Sequence, residues 1–318
     1  MGGRQGAATD GDLSALRGLD LRTAGDRPQV QDDRLPRPDG PRRDGPRAHP
    51  ASVRGRSPGS PVIRRLIAAW RVLSVSTFLI VWSLRMRLRR PRASDEAYEE
   101  WRREYLRRAA QGILDRLGVR VQAHGDFPRQ AGLLVTNHLG YLDVMVLASL
   151  GPTVFVSRAD VQQWPIVGKL TAWCQTIYID RGRRDQIPAV IDSMRSALAT
   201  GASVVFFPEG TSGPGDEVMP FRASLFGLAV EESIPVRAAV LGYRTDPADR
   251  PARDSVCWWG DASFAPHLLG LAALREVAAS VHFIEHDFVA TDRKELARDC
   301  HDAIASHFVP VTGNGGPV

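Results

Sequence analysis

The sequence predicts an α/β domain whose mostly parallel sheet is covered by helices, preceded by an N-terminal membrane-anchoring helix and a disordered tail. Three observations predict it. Past residue 119, short β-rich runs alternate with helix-like stretches, as in a parallel sheet with helical crossovers. Residues 66–84 form the most hydrophobic stretch, nineteen residues with one charge. Residues 1–61 hold eight prolines, ten glycines and no apolar run longer than two residues. The 318-residue chain is 43% hydrophobic and 24% charged. Those shares exclude a wholly disordered chain, a coiled coil and a multi-span membrane protein. Cys174, Cys257 and Cys300 share no close spacing, which excludes a disulfide scaffold and a zinc ribbon and points to a reducing compartment.

Along the chain, residues 1–61 cannot bury enough surface to offset their ordering entropy, so this segment is expected to be disordered. Eleven arginines are diluted there by eight acids, with aromatics scarce, which disfavours nucleic-acid binding. Residues 62–92 are expected to be a membrane anchor. Nineteen helical residues span about 28 Å, close to the roughly 30 Å of a bilayer core. Arginines flank both sides, Arg64 and Arg65 before and Arg85, Arg87, Arg89, Arg90 and Arg92 after. A spanning helix would put one basic flank on the wrong side, whereas a shallow or re-entrant one would hold both on anionic headgroups. The sequence leaves both open. Residues 93–118 read as an amphipathic linking helix, with Ser94 as cap and Gly118 as stop.

The domain over 119–310 is expected to carry strands at 119–123, 132–136, 153–157, 176–180, 203–207, 235–241 and 281–289. Helices are expected near 141–150, 165–173, 186–200, 222–232 and 291–308, and residues 311–318 are expected to be disordered. Charge divides along the same lines: +3 over 1–61, +8 over 62–120 and −6 over 121–318. A basic collar thus precedes an acidic body.

Two strand ends carry chemistry. Asn137-His138-Leu139-Gly140-Tyr141-Leu142-Asp143 follows the apolar run 132–136, and strand C-termini are where open α/β sheets build sites. A His with a carboxylate partner is a general-base pair. Five residues on a straight helix leave the two side chains about 140° apart, so they meet only if the chain turns between them; Gly140 permits such a turn. Phe206-Phe207-Pro208-Glu209-Gly210-Thr211-Ser212-Gly213 ends another apolar run. Its amides and hydroxyls suit a phosphate or an oxyanion, and no Gly-Lys-Ser/Thr makes it a P-loop. Arg181 follows the strand 176–180 and Arg222 follows Pro220-Phe221; together they suit an anionic headgroup. His282 and His286 lack a third ligand, Trp258 and Trp259 read as packing or interfacial residues, and no metal or cofactor is implied.

Order and placement of these blocks over residues 110–245 resemble the phospholipid/glycerol acyltransferase family, whose best-known members are 1-acylglycerol-3-phosphate acyltransferases. Asn137-His138…Asp143 is similar to its His-four-residues-Asp block, Ile179-Asp180-Arg181 to its arginine block, Phe207-Pro208-Glu209-Gly210-Thr211 to its Phe-Pro-Glu-Gly-Thr block, and Ile234-Pro235-Val236 to its proline block. Gln175, Gly213, Ser224 and Ala238 depart from the family pattern without removing a catalytic group. The resemblance implies a glycerol-3-phosphate acyltransferase-like αβ domain. It implies transfer of a fatty acyl group from acyl-CoA or acyl carrier protein to the sn-2 hydroxyl of lysophosphatidic acid, or to another lysolipid such as lyso-ornithine lipid. His138 would be the base and Asp143 its orienter. Arg181, Glu209, Gly210 and Thr211 would bind the acceptor, with Arg222 added on the residue reading above. The expected setting is the cytoplasmic face of the inner membrane; a non-catalytic scaffold of the same fold is the alternative class.

Overall fold

The computed structural model describes residues 60–88, 95–164, 168, 171–172, 174–180 and 182–311. Most of the expected tail over 1–61, the expected C-terminal extension over 311–318 and the expected helix at 165–173 lies outside the described residues; at their edges Pro61 already opens α1, and Val311 is buried with its amide on the Gly215 carbonyl at 2.7 Å, so both belong to the fold.

Two long helices come first, α1 (Pro61–Leu88) and α2 (Asp95–Leu117). Then follow β1 (Val119–His124), β2 (Leu133–Thr136), α3 (Leu142–Leu150), β3 (Thr153–Arg158), β4 (Ile177–Ile179), α4 (Ile187–Ala199) and β5 (Ser203–Phe206). A 3₁₀ turn over Ala223–Phe226 leads into α5 (Gly227–Glu232). The chain ends with β6 (Val236–Thr245), α6 (Ala252–Ser255), α7 (Phe264–Ala272), β7 (Val277–Phe283) and α8 (Arg293–His307).

The seven strands form one sheet in the order β1-β7-β6-β2-β5-β3-β4. All neighbours are parallel except β6 and β7. The sheet is therefore mostly parallel, as expected, with β1 and β7 running against the other five. Successive side chains of a strand point to opposite faces, and the apolar runs fill both. Leu134 and Val205 face the cluster under α1, α2, α3 and α7. Leu133, Val135, Val204 and Phe206 face the cluster under α4, α5 and α8. Burial on both faces is why these strands read as unbroken apolar runs.

The last quarter differs from expectation. β7 begins at Val277 rather than 281 and ends at Phe283, after which Phe288 bridges back to Val236. After Val277 its first half, Ala278-Ala279-Ser280, is built of small residues with weak strand preference. α6 and α7 occupy a region in which the sequence showed no element.

α1 does not project from the body. Arg64 donates to the Ala248 carbonyl and pairs with Asp249, both at 2.9 Å. Arg71 donates to the carbonyls of Ala272, Leu274 and Arg275 at 3.3, 2.5 and 3.0 Å. Phe78 lies against Gly112 and under the Arg116 guanidinium. The Trp82 carbonyl accepts from Tyr105 Oη at 2.8 Å. One face of α1 is thus fastened to the protein from Arg64 to Trp82, while Leu66, Trp70, Leu73 and Ile80 point outward.

Candidate active site

β2 and β5 are adjacent and parallel, with Val135 opposite Phe206, so the segments following them leave the same edge of the sheet side by side. Asn137 locks the first segment to β6. Its Nδ2 donates to the Leu241 carbonyl (3.0 Å) and its Oδ1 accepts from the Leu241 amide (2.8 Å).

His138 comes next. Its backbone N–H donates to Glu209 Oε1 at 2.8 Å and its Nδ1 lies 2.7 Å from Asp143 Oδ2. The turn at 139–141 closes the five-residue separation. Asp143 sits in the first turn of α3, and its Oδ2 also accepts from the amides of Leu139 (2.7 Å) and Gly140 (3.0 Å). Its other oxygen, Oδ1, accepts from Tyr243 Oη at 2.7 Å. Asp143 is fully buried, and four donors replace the water it has lost. A carboxylate can only accept, so Nδ1 carries the imidazole proton and Nε2 presents its lone pair. Among the described residues Nε2 has no hydrogen-bond partner, and 19% of the His138 side chain is exposed. The Phe207 ring stacks on the imidazole, centroids 4.0 Å apart.

Gly140 serves the turn in a different way from the freedom of dihedral expected of it. It is not among the residues with positive φ. A Cβ there would meet the Trp258 amide at 3.1 Å, so glycine is needed for the close approach of the 256–260 segment. That segment is held to the turn, since the Trp258 N–H donates to the Leu139 carbonyl (2.8 Å) and Ser212 Oγ donates to the Trp258 carbonyl.

The second loop uses glycine for its conformation. Gly210 has φ +82°, and a Cβ there would lie 2.9 Å from Arg222 Nε. Arg222 thus lies across Gly210, tied by its own amide to the Pro208 carbonyl at 2.9 Å. Thr211 and Arg222 are exposed. Glu209 is buried and turns inward: besides the His138 amide, its Oε2 accepts from the Met219 amide at 3.4 Å. Desolvation outweighs these two donors and pushes its pKa up to about 8.

Of the expected site residues, His138, Asp143, Glu209 and Gly210 converge at one edge of the sheet through these contacts, with Thr211 and Arg222 on the same loop and its flank. Arg181 lies outside the described residues. Ile234-Pro235-Val236 stands at the opposite end of the sheet, since Val236 pairs with Leu133 at the start of β2. Tyr243 was not singled out in the sequence. The available signal was a hydroxyl in a buried strand, which needs a partner, but nothing local names one 100 residues away.

The acyltransferase family profile matches residues 118–241. A lyso-ornithine lipid O-acyltransferase of Rhizobium meliloti (strain 1021) is 33% identical over 196 residues, 57% of this chain and 67% of that protein. The chain belongs to the phospholipid/glycerol acyltransferase family. Other relatives of this acyltransferase include the lyso-ornithine lipid O-acyltransferase of Pseudomonas aeruginosa, 32% identical over 58% of this chain and 70% of that one. The 1-acyl-sn-glycerol-3-phosphate acyltransferase of Neisseria meningitidis serogroup B is 26% identical over 61% and 75%. The crystal structure of the 1-acyl-sn-glycerophosphate acyltransferase PlsC from Thermotoga maritima shares the fold, with a TM-score of 0.57 at 13% identity, covering 77% of this chain and 94% of that one. The protein is an acyltransferase of lipid biosynthesis.

Proposed function

We propose that His138 Nε2 takes the proton from the acceptor's free hydroxyl as that oxygen attacks the carbonyl carbon of a fatty acyl thioester. The tetrahedral adduct expels the thiolate, which recovers the proton from the imidazolium and leaves as a thiol; an ester has replaced the thioester. Asp143 holds the imidazole by Nδ1 and balances the imidazolium. Both reactants held together need no acyl-enzyme. Carrying the proposal is the 2.7 Å contact between His138 Nδ1 and Asp143 Oδ2 at a strand end, with Nε2 unpartnered among the described residues. Glu209, both of whose oxygens hold backbone amides, acts by fixing His138. Gly210, Thr211 and Arg222, with Arg181 by family resemblance, receive the acceptor's anionic group. The donor is acyl-CoA or acyl carrier protein.

Two acceptors compete. The family blocks favour 1-acylglycerol-3-phosphate, acylated at the sn-2 hydroxyl to phosphatidic acid. The relatives favour lyso-ornithine lipid, because the four proteins of that name are 32–33% identical to this chain, against 26–28% for the two Neisseria phosphatidate-forming ones. We place lyso-ornithine lipid first. Purified enzyme given both acceptors with each thioester tests it: a kcat/KM at least about tenfold higher on 1-acylglycerol-3-phosphate, or 1.4 kcal/mol in transition-state binding, reverses the order.

α1 is the membrane contact. Fastened along one face, it lies in the plane of the bilayer surface with its outward apolar face in the acyl layer and Arg85 and Arg87 among anionic headgroups. In a bacterial cell that surface is the cytoplasmic face of the inner membrane.

A further inference from the structure

α7 reads Phe-Ala-Pro-His-Leu-Leu-Gly-Leu-Ala and carries no formally charged residue. Its inner side is buried through Leu271 and Ala272, yet its outer side is also apolar, with Ala265, Pro266 and Leu269 exposed, Leu269 by 50%. A helix on a watered surface normally turns charges outward. α7 packs against α1, and Arg71 of α1 occupies the carbonyls at and just beyond its C-terminal end, so the two form one unit. Just ahead of α7, Trp259 is 40% exposed and its ring rests on the Arg253 guanidinium, 5.3 Å from the centroid.

We propose that α7 and the Trp259 tip are a second lipid-contacting surface, continuous with α1, and that a bilayer surface is their occupant. The proposal rests on the reading of α1 as a membrane-facing helix. Continuity with α1 favours lipid over a protein partner, as do the lack of charge on α7, the tryptophan at its edge and the arginines at the end of α1. The placement also has a chemical result. His267 of α7 bonds Tyr141 Oη through Nδ1 (3.0 Å) and the Cys257 carbonyl through Nε2 (3.1 Å). Tyr141 belongs to the turn joining His138 to Asp143. Seating α7 on the membrane therefore seats the catalytic turn beside the headgroups, where a lysolipid's hydroxyl reaches His138 without leaving its leaflet.

The test uses full-length Leu269→Glu and Trp259→Gln on phosphatidylcholine–phosphatidylglycerol vesicles carrying the acceptor, and on a short-chain acceptor dispersed as monomers. Leu73→Glu on α1 and Val289→Glu, a comparably exposed apolar position after β7, are the references. Leu269→Glu should lower kcat/KM on vesicles by about tenfold or more, the scale of one leucine's transfer free energy, and leave turnover of the dispersed acceptor unchanged. Trp259→Gln should act in the same direction and Val289→Glu on neither substrate. Equal losses on both acceptors, a changed oligomeric state, or vesicle turnover like wild type for both variants overturns the proposal. If Leu73→Glu alone releases the enzyme from vesicles, the α1 reading survives and this one does not; if neither helix responds, both fall.

Discussion

Asp143 accepts four hydrogen bonds while fully buried, so a donor that is removed cannot be replaced by bulk water. Replacing the base itself, His138→Ala, should cut kcat by about 10²–10⁴-fold, the usual worth of a positioned general base, with the melting temperature little changed. Retention of more than a tenth of the activity would contradict the proposed role. Tyr243→Phe tests the donor from β6: the unsatisfied carboxylate oxygen costs about 1–3 kcal/mol, lowering kcat about fivefold to a hundredfold, while acceptor KM stays put. A rise in KM at constant kcat would place Tyr243 in binding instead. Glu209 makes a pH prediction. Its carboxyl is raised from 4.5 to about 8 by burial, so the folded state keeps a proton there that the unfolded chain has lost. Its contribution to stability is complete below pH 4.5 and is lost as pH rises toward about 8. Melting curves of wild type and Glu209→Gln should therefore diverge across that window, wild type falling more steeply with rising pH. Parallel curves would place the Glu209 carboxyl at an ordinary value. The His138–Asp143 pair was legible in the sequence because five residues and a turn suffice to join them. Tyr243 and the inward turn of Glu209 were not, since each depends on a strand or loop brought alongside by the sheet.

At the scale of elements, local pattern located most of the fold. The expected strands at 119–123, 153–157 and 203–207 and the expected helices at 93–118 and 186–200 fall on β1, β3, β5, α2 and α4 within a few residues. The failures have physical causes. β7 has a run of small residues, Ala278-Ala279-Ser280, right after its first position, and its antiparallel pairing with β6 leaves no mark in either strand's own composition. α7 has no polar face, so it lacks the periodicity by which a surface helix is read. Arg71 reads in the sequence as a charge near one end of an apolar run, free to reach a headgroup; in the fold it is spent on three carbonyls. Arg71→Leu, apolar and helix-forming, should therefore lower the melting temperature, since hydrogen bonds to a charged group contribute about 1.5–3 kcal/mol, while binding to vesicles persists. If vesicle binding falls and stability does not, the guanidinium serves lipid and not α7.

Over the whole molecule, charge and apolar surface divide the labour. On the proposed membrane reading, the +8 carried by residues 62–120 draws the protein to an anionic surface by a force that salt screens, whereas contact through the outward apolar faces of α1 and α7 is insensitive to salt. High-salt washing should leave the enzyme on membranes, and deletion of residues 1–59 should leave it bound and active; release by salt alone would mean that α1 does not enter the lipid. The order of the sheet adds a matter of timing. β1, next to α1 and α2 in sequence, has among the described residues no sheet neighbour except β7, whose pairing residues begin with Val277. At about 5–20 residues per second a ribosome takes on the order of ten seconds or more to make the intervening chain. Throughout that interval α1 has α2 and α2 has α3 to pack on, but the strand that pairs with β1 and the helix α7 that packs on α1 are still unmade. On the proposed reading of α1, its outward apolar face is complete long before the sheet is, so a membrane can receive that helix while the rest of the chain is still being made.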